Sequence, residues 1–400
     1  MNNFAKYLTK YAEDEVSLLA TFPQHKSFSH TLIIPAYKES PSFIDSFIRS
    51  SLVDQNVLLI IVINQPEYET DSYPQSALAQ HGLSTGKVTW QSDNLTLVDM
   101  DNSNSAILVI DRFTQPIPNK QGVGLARKIG ADVACALIEQ KVIKSMWLHS
   151  SDADAQLPDN YFTSLMDNQS HTSVAACYNF IHSCDDKVIE SANAIYEQAL
   201  RYYVAGLSYA KSPYNYFTIG SVLVFRAQAY VTVRGFPKRS AGEDFYLLNK
   251  IAKLGDILWL KNSVLRLEAR MSDRVPFGTG PAVKQIVELS EKGQSYHYYH
   301  PVVFERLKSL LHHFSSLHQN LDNLSVWYKT GSNDIEFALK TIGFDAFVDK
   351  QKGINEKQFN KQLLVWFDAF KTLKFIHALK DNYYPNIPIE EAISQANFVI

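Results

Sequence analysis

Residues 57–63 read Val-Leu-Leu-Ile-Ile-Val-Ile with no polar interruption. A strand with one face in water alternates apolar and polar residues, whereas a short β-branched run without alternation marks a strand covered on both faces. Covering both faces of a sheet takes helices between the strands, so this segment points to parallel crossovers and an α/β layer architecture. The rest of the N-terminal part agrees. Strand signals at 31–34, 106–110, 146–149, 173–181, 216–225 and 257–260 alternate with helical spacing at 42–52, 124–140, 188–211 and 243–254. Residues 66–104 are polar and read as loop, and residues 1–28 read as a short amphipathic lead-in helix.

Past about residue 284 the texture changes. FERLKSLLHHFSSL and FNKQLLVWFDAFKTLKFIHAL carry helical periodicity with Phe, Leu and Trp expected inward. The expected organisation is a lead-in at 1–28, an α/β domain at 29–284 and a C-terminal helical domain at 285–400. His312, His313, His318 and His377 fall on those helices as surface or core-edge residues.

Composition narrows the class of function. The net charge is -3, so no broad basic footprint for nucleic acid exists. Cys135, Cys177 and Cys184 form no C-x-x-C pair, which argues against a disulfide framework and a thiolate zinc site. No apolar run approaches the roughly 20 residues of a membrane span. MNNFAKYLTKYAEDEV lacks the apolar core of a secretory signal and carries acids in its place, so a cytoplasmic location is expected.

Four segments carry chemistry. In Ile33-Ile34-Pro35-Ala36-Tyr37-Lys38-Glu39 a strand runs into a turn, and ligands of open α/β sheets bind beyond such strand ends. Tyr37 offers a face for a base and Glu39 an acceptor for a ribose hydroxyl; the ordinary alternative is a generic strand–turn–helix. Gln121-Gly122-Val123-Gly124 opens a helix, where backbone N–H groups attract phosphate, and Arg127 on its first turn either reaches a diphosphate or is a plain surface arginine. The spacing departs from the dinucleotide fingerprint and a loop precedes it, which disfavours a Rossmann oxidoreductase.

Asp152 and Asp154 follow a buried strand two residues apart. Such carboxylates repel unless a cation or donors compensate, and a hard cation on a diphosphate needs only one or two of them. A solvated acidic turn is the plain alternative. Glu243 and Asp244 open a helix, where the dipole favours acids in any case. In the functional reading Asp244 is a general base kept ionised by that dipole.

Taken in order, IIPAYKE, GVGLARKIGAD, DADAQLPDNYF, GSVLVFRAQAYVTVRGF and GEDFYLLNKIAKLG, over about residues 31–255, resemble glycosyltransferase family 2. That resemblance implies a GT-A-type, Rossmann-like, mostly parallel sheet sandwiched by helices, here followed by a helical lobe. It implies an inverting transfer from a nucleoside-diphosphate sugar, UDP- or GDP-linked, with Mn2+ or Mg2+ as cofactor. Pro35, Ala36, Tyr37 and Glu39 would line the nucleotide pocket, Asp152 would contact ribose or metal, and Asp154 would bind the metal. Asp244, with Glu243 beside it, would deprotonate the acceptor, and Gly220 and Ser221 would lie near the sugar or acceptor.

Three departures matter. The second strand ends Ile63-Asn64-Gln65-Pro66 where the family has an acidic pair, leaving Asn64 to read the base. Membrane helices and the Q-x-x-R-W motif of processive synthases are absent, which favours addition of one sugar. Arg270 and Arg274 lie in a stretch rich in Arg and Gly, where they would clamp the diphosphate or an anionic acceptor, or pair with nearby acids. His297 and His300 in YHYYHP carry ligand chemistry without a strand to present it. The competing readings are a sugar nucleotidyltransferase, a phosphohydrolase with Asp152 as nucleophile, and a non-catalytic nucleotide-sugar-binding protein. The acceptor is left open.

Overall fold

A computed structural model describes residues 3–269 and 278–400. The chain divides into two compact units, one from residues 3–183 with Thr218–Ala269, the other from Cys184–Phe217 with Gly278–Ile400.

The first unit is built on a ten-stranded sheet. Its strands are β1 (His30–Ala36), β2 (Val57–Pro66), β3 (Gly86–Ser92), β4 (Leu95–Met100), β5 (Ala106–Ile117), β6 (Trp147–Ser150), β7 (Ala155–Gln156), β8 (Ser173–Ser183), β9 (Leu223–Arg226) and β10 (Asp256–Glu268). They lie in the order β3-β4-β5-β2-β1-β6-β9-β8-β10-β7. The pairings make β1, β2, β3, β5, β6, β8 and β10 point one way and β4, β7 and β9 the other. The sheet is therefore mostly parallel in direction, as the apolar run in β2 requires. Each residue from Val57 to Ile63 is at most 1% exposed.

One face of the centre is covered by the helix Gly122–Glu139. Gly130 lies so close to the sheet that a Cβ there would stand 2.5 Å from Ile33 Cγ2, so the small residues of this helix serve close packing. The helix is buried at every position from Gly124 to Ile138, because the N-terminal segment covers its outer side. Lys128 Nζ donates to Tyr7 OH, the Tyr11 carbonyl and Asp132 Oδ2 at 2.7–2.9 Å. Asp132 also accepts from Tyr7 OH, Tyr230 OH and the Glu13 N–H. A carboxylate and an ammonium with this many partners tolerate burial that an isolated charge would not. The expected lead-in helix is in fact a short helix, Asn3–Lys10, followed by a 3-10 segment, Asp14–Thr21.

Residues 66–104 correct the loop expectation. They hold a helix, Tyr73–Leu83, and the antiparallel hairpin β3–β4 at the sheet edge. In GKVTWQS, β3 is largely exposed, and an edge strand of that kind lacks the apolar run that announces a central one. The Asp93-Asn94 turn between the strands places Asp93 at φ 48°, a conformation Asn and Asp tolerate.

The second unit is helical. The helix Lys187–Tyr209 packs closely on Val302–His313, where a Cβ on Gly206 would lie 2.6 Å from the Phe304 ring. Further helices, including Asn333–Thr341, Glu356–Trp366 and Ala369–Asn382, enclose a core with Trp327, Phe344, Phe359 and Phe375. His313 stacks on Trp327 with centroids 4.4 Å apart, and His377 Nε2 meets Tyr299 OH at 2.8 Å, so these histidines serve the core edge. His300 Nδ1 accepts from the Val302 N–H. Among the described residues no helix is long and apolar enough to cross a membrane, and no disulfide joins Cys135, Cys177 or Cys184.

Candidate active site

Strand β1 has β2 on one side and β6 on the other, so the strand order reverses beside β1, and crevices at such reversals take ligands. The turn leaving β6 begins there. The Ser151 N–H donates to the Ile33 carbonyl at 3.0 Å, and the next residue is Asp152. The turn is closed by the Ala155 N–H on the Asp152 carbonyl and the Glu268 N–H on the Asp154 carbonyl, each at 3.2 Å, and β7 then pairs with β10. Asp152 and Asp154 are thus carried on a backbone pinned at both ends.

Arg127 organises the site and is neither exposed nor free. Its Nε donates to Glu243 Oε1 at 2.9 Å, one terminal nitrogen to Ser150 Oγ at 2.9 Å and the Ser151 carbonyl at 3.3 Å, and the other to Asp152 Oδ1 at 2.5 Å. Burial works against the charged guanidinium, but the carboxylates of Asp152, Glu243 and Asp244 overcome it and raise its pKa. Gly220 lies directly against it, where a Cβ would stand 2.4 Å from the guanidinium nitrogen. The neighbouring Ser221 carbonyl accepts from Ser151 Oγ at 2.8 Å. Gly220 and Ser221 therefore stand beside Arg127 and the turn after β6.

The glycines ahead of Arg127 do something other than cradle phosphate. The Gly124 N–H donates to the Arg239 carbonyl at 2.9 Å. A Cβ on Gly124 would lie 2.5 Å from the Pro237 carbonyl oxygen, and one on Gly122, at φ +40°, 2.7 Å from Ser240 Cα. The pair admits the backbone of 237–240, which leads into Gly242 and the helix Glu243–Ile251. Close approach at the glycines is what brings Glu243 within reach of Arg127.

Asp244 is partly buried, and its Oδ1 accepts from the Phe245 N–H at 2.7 Å. Burial first, then the charge of Glu243, push its carboxyl up to about 7, against the opposing pull of that N–H and of Arg127. Burial and Glu243 outweigh the helix dipole here, so the group titrates near neutral pH and not far below it. A group poised near 7 is suited to taking a proton at neutral pH.

Three carboxylates act on one guanidinium, so with all of them ionised the cluster has two negative charges in excess. Among the described residues no three His, Cys, Asp or Glu side chains converge as a metal cage. A hard divalent cation on a diphosphate needs only one or two carboxylates, the rest of its shell coming from phosphate oxygens and water.

At the end of β1, Pro35 and Ala36 are buried and pair with Val62 and Ile63 of β2, while Tyr37 and Glu39 are half-buried. Asn64 is buried at the end of β2. Tyr37 OH donates to Glu69 Oε2 at 3.0 Å, and Lys38, at φ 53°, forms an ion pair with the same carboxylate. Lys38, the Asp71 N–H and Tyr37 hold Glu69 down at about 2, while burial and Glu69 push Tyr37 up to about 12. Sequence reasoning missed Glu69 because it sits in the segment read as loop; an acid five residues past Asn64 was its one available signal. Arg270 and Arg274 lie outside the described residues.

Among solved structures, the chain is similar to the mannosyltransferase PcManGT from Pyrobaculum calidifontis in complex with GDP-Man and Mn2+. The identity is 14% and the TM-score 0.37, covering 95% of this chain and 96% of that one. It is also similar to a mycobacterial protein of known crystal structure, at 13% identity and TM-score 0.34, covering 68% and 80%. Likeness at this level carries no argument about activity. No family model and no curated protein matches the chain.

Sequence reasoning also missed Tyr161. Its ring is fully buried, stacked on Tyr178 with centroids 4.5 Å apart, and its hydroxyl has no hydrogen-bond partner among the described residues. The charges of Arg127 and Asp152 both act on that hydroxyl, which places it under the same cluster.

Proposed function

We propose that the chain is a non-processive glycosyltransferase that moves one sugar from a nucleoside-diphosphate donor, UDP- or GDP-linked, to an acceptor hydroxyl with inversion. The observation that carries this reading is the joining of Asp152, on the turn after β6, to the Glu243–Asp244 pair through one buried guanidinium. In this reading the acid on the donor side and the acid pair on the acceptor side share one cluster at a strand-order reversal.

In this reading Asp152 and Asp154 hold a divalent cation, Mn2+ or Mg2+, which supplies charge neutralisation for the leaving diphosphate. Tyr37 and Glu69 bound the nucleotide side, with Pro35, Ala36, Glu39 and Asn64 shaping the strand ends beneath it. Asp244 receives the acceptor proton as the acceptor oxygen bonds to the anomeric carbon. The bond from that carbon to the diphosphate oxygen breaks, and its electron pair leaves with the nucleoside diphosphate. Arg127 fixes Asp152 and Glu243, and Gly220 leaves room for it to do so. Arg270 and Arg274 are assigned to the diphosphate or an anionic acceptor.

Calorimetry of the full chain with UDP, GDP and their hexose conjugates, with and without Mn2+, tests the reading. It expects metal-dependent binding of one nucleotide class, lost in Asp154→Ala. Absence of binding to every one of them overturns it.

A further inference from the structure

The helical unit carries a surface that the proposed transfer does not use. The helix Glu356–Trp366 buries Phe359 and Leu363, one turn apart, and half-buries Trp366. Phe, Leu and Trp of this stretch were expected to face inward, yet Leu364 is 50% exposed, and Val365 beside it is 44% exposed. At the start of the next helix, Ala369–Asn382, Phe370 is 36% exposed. Val365, Trp366 and Phe370 share one open cleft of about 390 Å³ with Phe347 and Gln362. Other exposed large apolar side chains of this unit, such as Val188 and Val326, do not line that cleft.

Lysines surround these apolar tips. Residues 356–374 contain Lys357, Lys361, Lys371 and Lys374 against Glu356 and Asp368, in a chain whose net charge is -3. Asp368 is engaged as a helix cap, accepting from the Lys371 N–H at 3.1 Å. Lys371 Nζ lies 4.6 Å from the Trp366 centroid and donates to the Ile342 carbonyl, and Lys374 Nζ lies 4.6 Å from the Phe370 centroid. Lys357, Lys361 and Lys374 are exposed. Aliphatic and aromatic tips framed by long cationic side chains are the pattern of an interfacial surface, with rings at the acyl boundary and ammonium groups at the headgroups.

We propose that this face docks the protein on the surface of an anionic lipid bilayer, with Leu364, Val365 and Phe370 entering the interface and Lys357, Lys361 and Lys374 meeting lipid phosphates. Charge complementarity decides the occupant. A second copy meeting this face about a two-fold axis would set lysine against lysine. Three apolar tips also fall far short of the roughly 800 Å² per partner that a stable dimer buries.

Co-sedimentation of the full chain with vesicles tests the proposal. The expected result is binding to mixed phosphatidylcholine–phosphatidylglycerol vesicles that weakens with added salt, and little binding to phosphatidylcholine alone. L364E/V365E should lower the bound-to-free ratio by about tenfold or more while circular dichroism stays unchanged. K361E/K374E, which leaves the apolar tips intact, should abolish the preference for anionic vesicles. No binding of the unaltered chain to the mixed vesicles, or binding by both variants equal to that of the unaltered chain, overturns the proposal. A dimer in light scattering that L364E/V365E dissociates overturns it in favour of self-association.

Discussion

Arg127 Nε donates to Glu243 Oε1 at 2.9 Å, and the two side chains are only 3% and 5% exposed. The same guanidinium holds Asp152, so one buried cation ties the turn after β6 to the start of the helix Glu243–Ile251. Removing one partner of such a pair strands the other charge, at a cost of about 3–5 kcal/mol. Arg127→Met should therefore lower the free energy of unfolding by that order in a urea titration.

Glu243→Gln separates the geometric role of this pair from its charge. The glutamine oxygen still accepts from Arg127 Nε, so the stability loss should stay below that of Arg127→Met. Glu243 is, after burial, the largest cause of the raised Asp244 pKa. Neutralising it should move the acid limb of any pH–rate profile to lower pH. A profile unchanged in Glu243→Gln would remove Asp244 as the titrating group.

The pH dependence of stability has a definite sign at Asp244. Its folded pKa, about 7, lies above the model-peptide value of 3.8, so between those limits the folded chain holds more protons than the unfolded one. Stability from this group is full below the unfolded pKa and is lost as pH rises through about 7. Asp244→Asn removes the penalty and should be more stable than the unaltered chain above pH 7. Under the proposed function the same variant should bind donor and lose transfer, so thermal unfolding at pH 8 beside a turnover assay checks both.

The central sheet was legible because Val57–Ile63 has a period that no half-exposed strand shares. The β3–β4 hairpin was not, since GKVTWQS is an edge strand whose polar residues face water. At the site, spacing showed where the acids lie along the chain and which strands precede them. It did not show that Arg127 points inward, because a helix that is buried all round has no polar face to mark the arginine's direction. Nor did it show why Gly122 and Gly124 are glycines. Their reason is the backbone of 237–240, more than 110 residues away in sequence.

Gly220 gives a test of that close packing. A Cβ at this position would lie 2.4 Å from the Arg127 nitrogen that holds Asp152 and 3.0 Å from Cζ. The guanidinium cannot give way without loosening Asp152, Glu243 or both. Gly220→Ala should lose stability by about 1–3 kcal/mol, the usual cost of overpacking. Under the proposed function it should also lose donor affinity in calorimetry, although no ligand-touching group has been removed. Unchanged affinity would show that Asp152 needs no positioning by Arg127.

Tyr161 makes the opposite prediction for stability. A buried hydroxyl without a partner carries a desolvation cost of about 1–3 kcal/mol, so deleting it should not destabilise the fold. Tyr161→Phe keeps the ring stacked on Tyr178 and should unfold at the same temperature or higher. The hydroxyl lies where the charges of Arg127 and Asp152 act on it, so under the proposed function a bound donor would reach it. Calorimetry with UDP and GDP in Mn2+ should then show affinity lowered several-fold in Tyr161→Phe, with thermal stability retained. Unaltered affinity would make Tyr161 a packing residue, and a clear fall in unfolding temperature would mean that its hydroxyl is partnered within the folded chain.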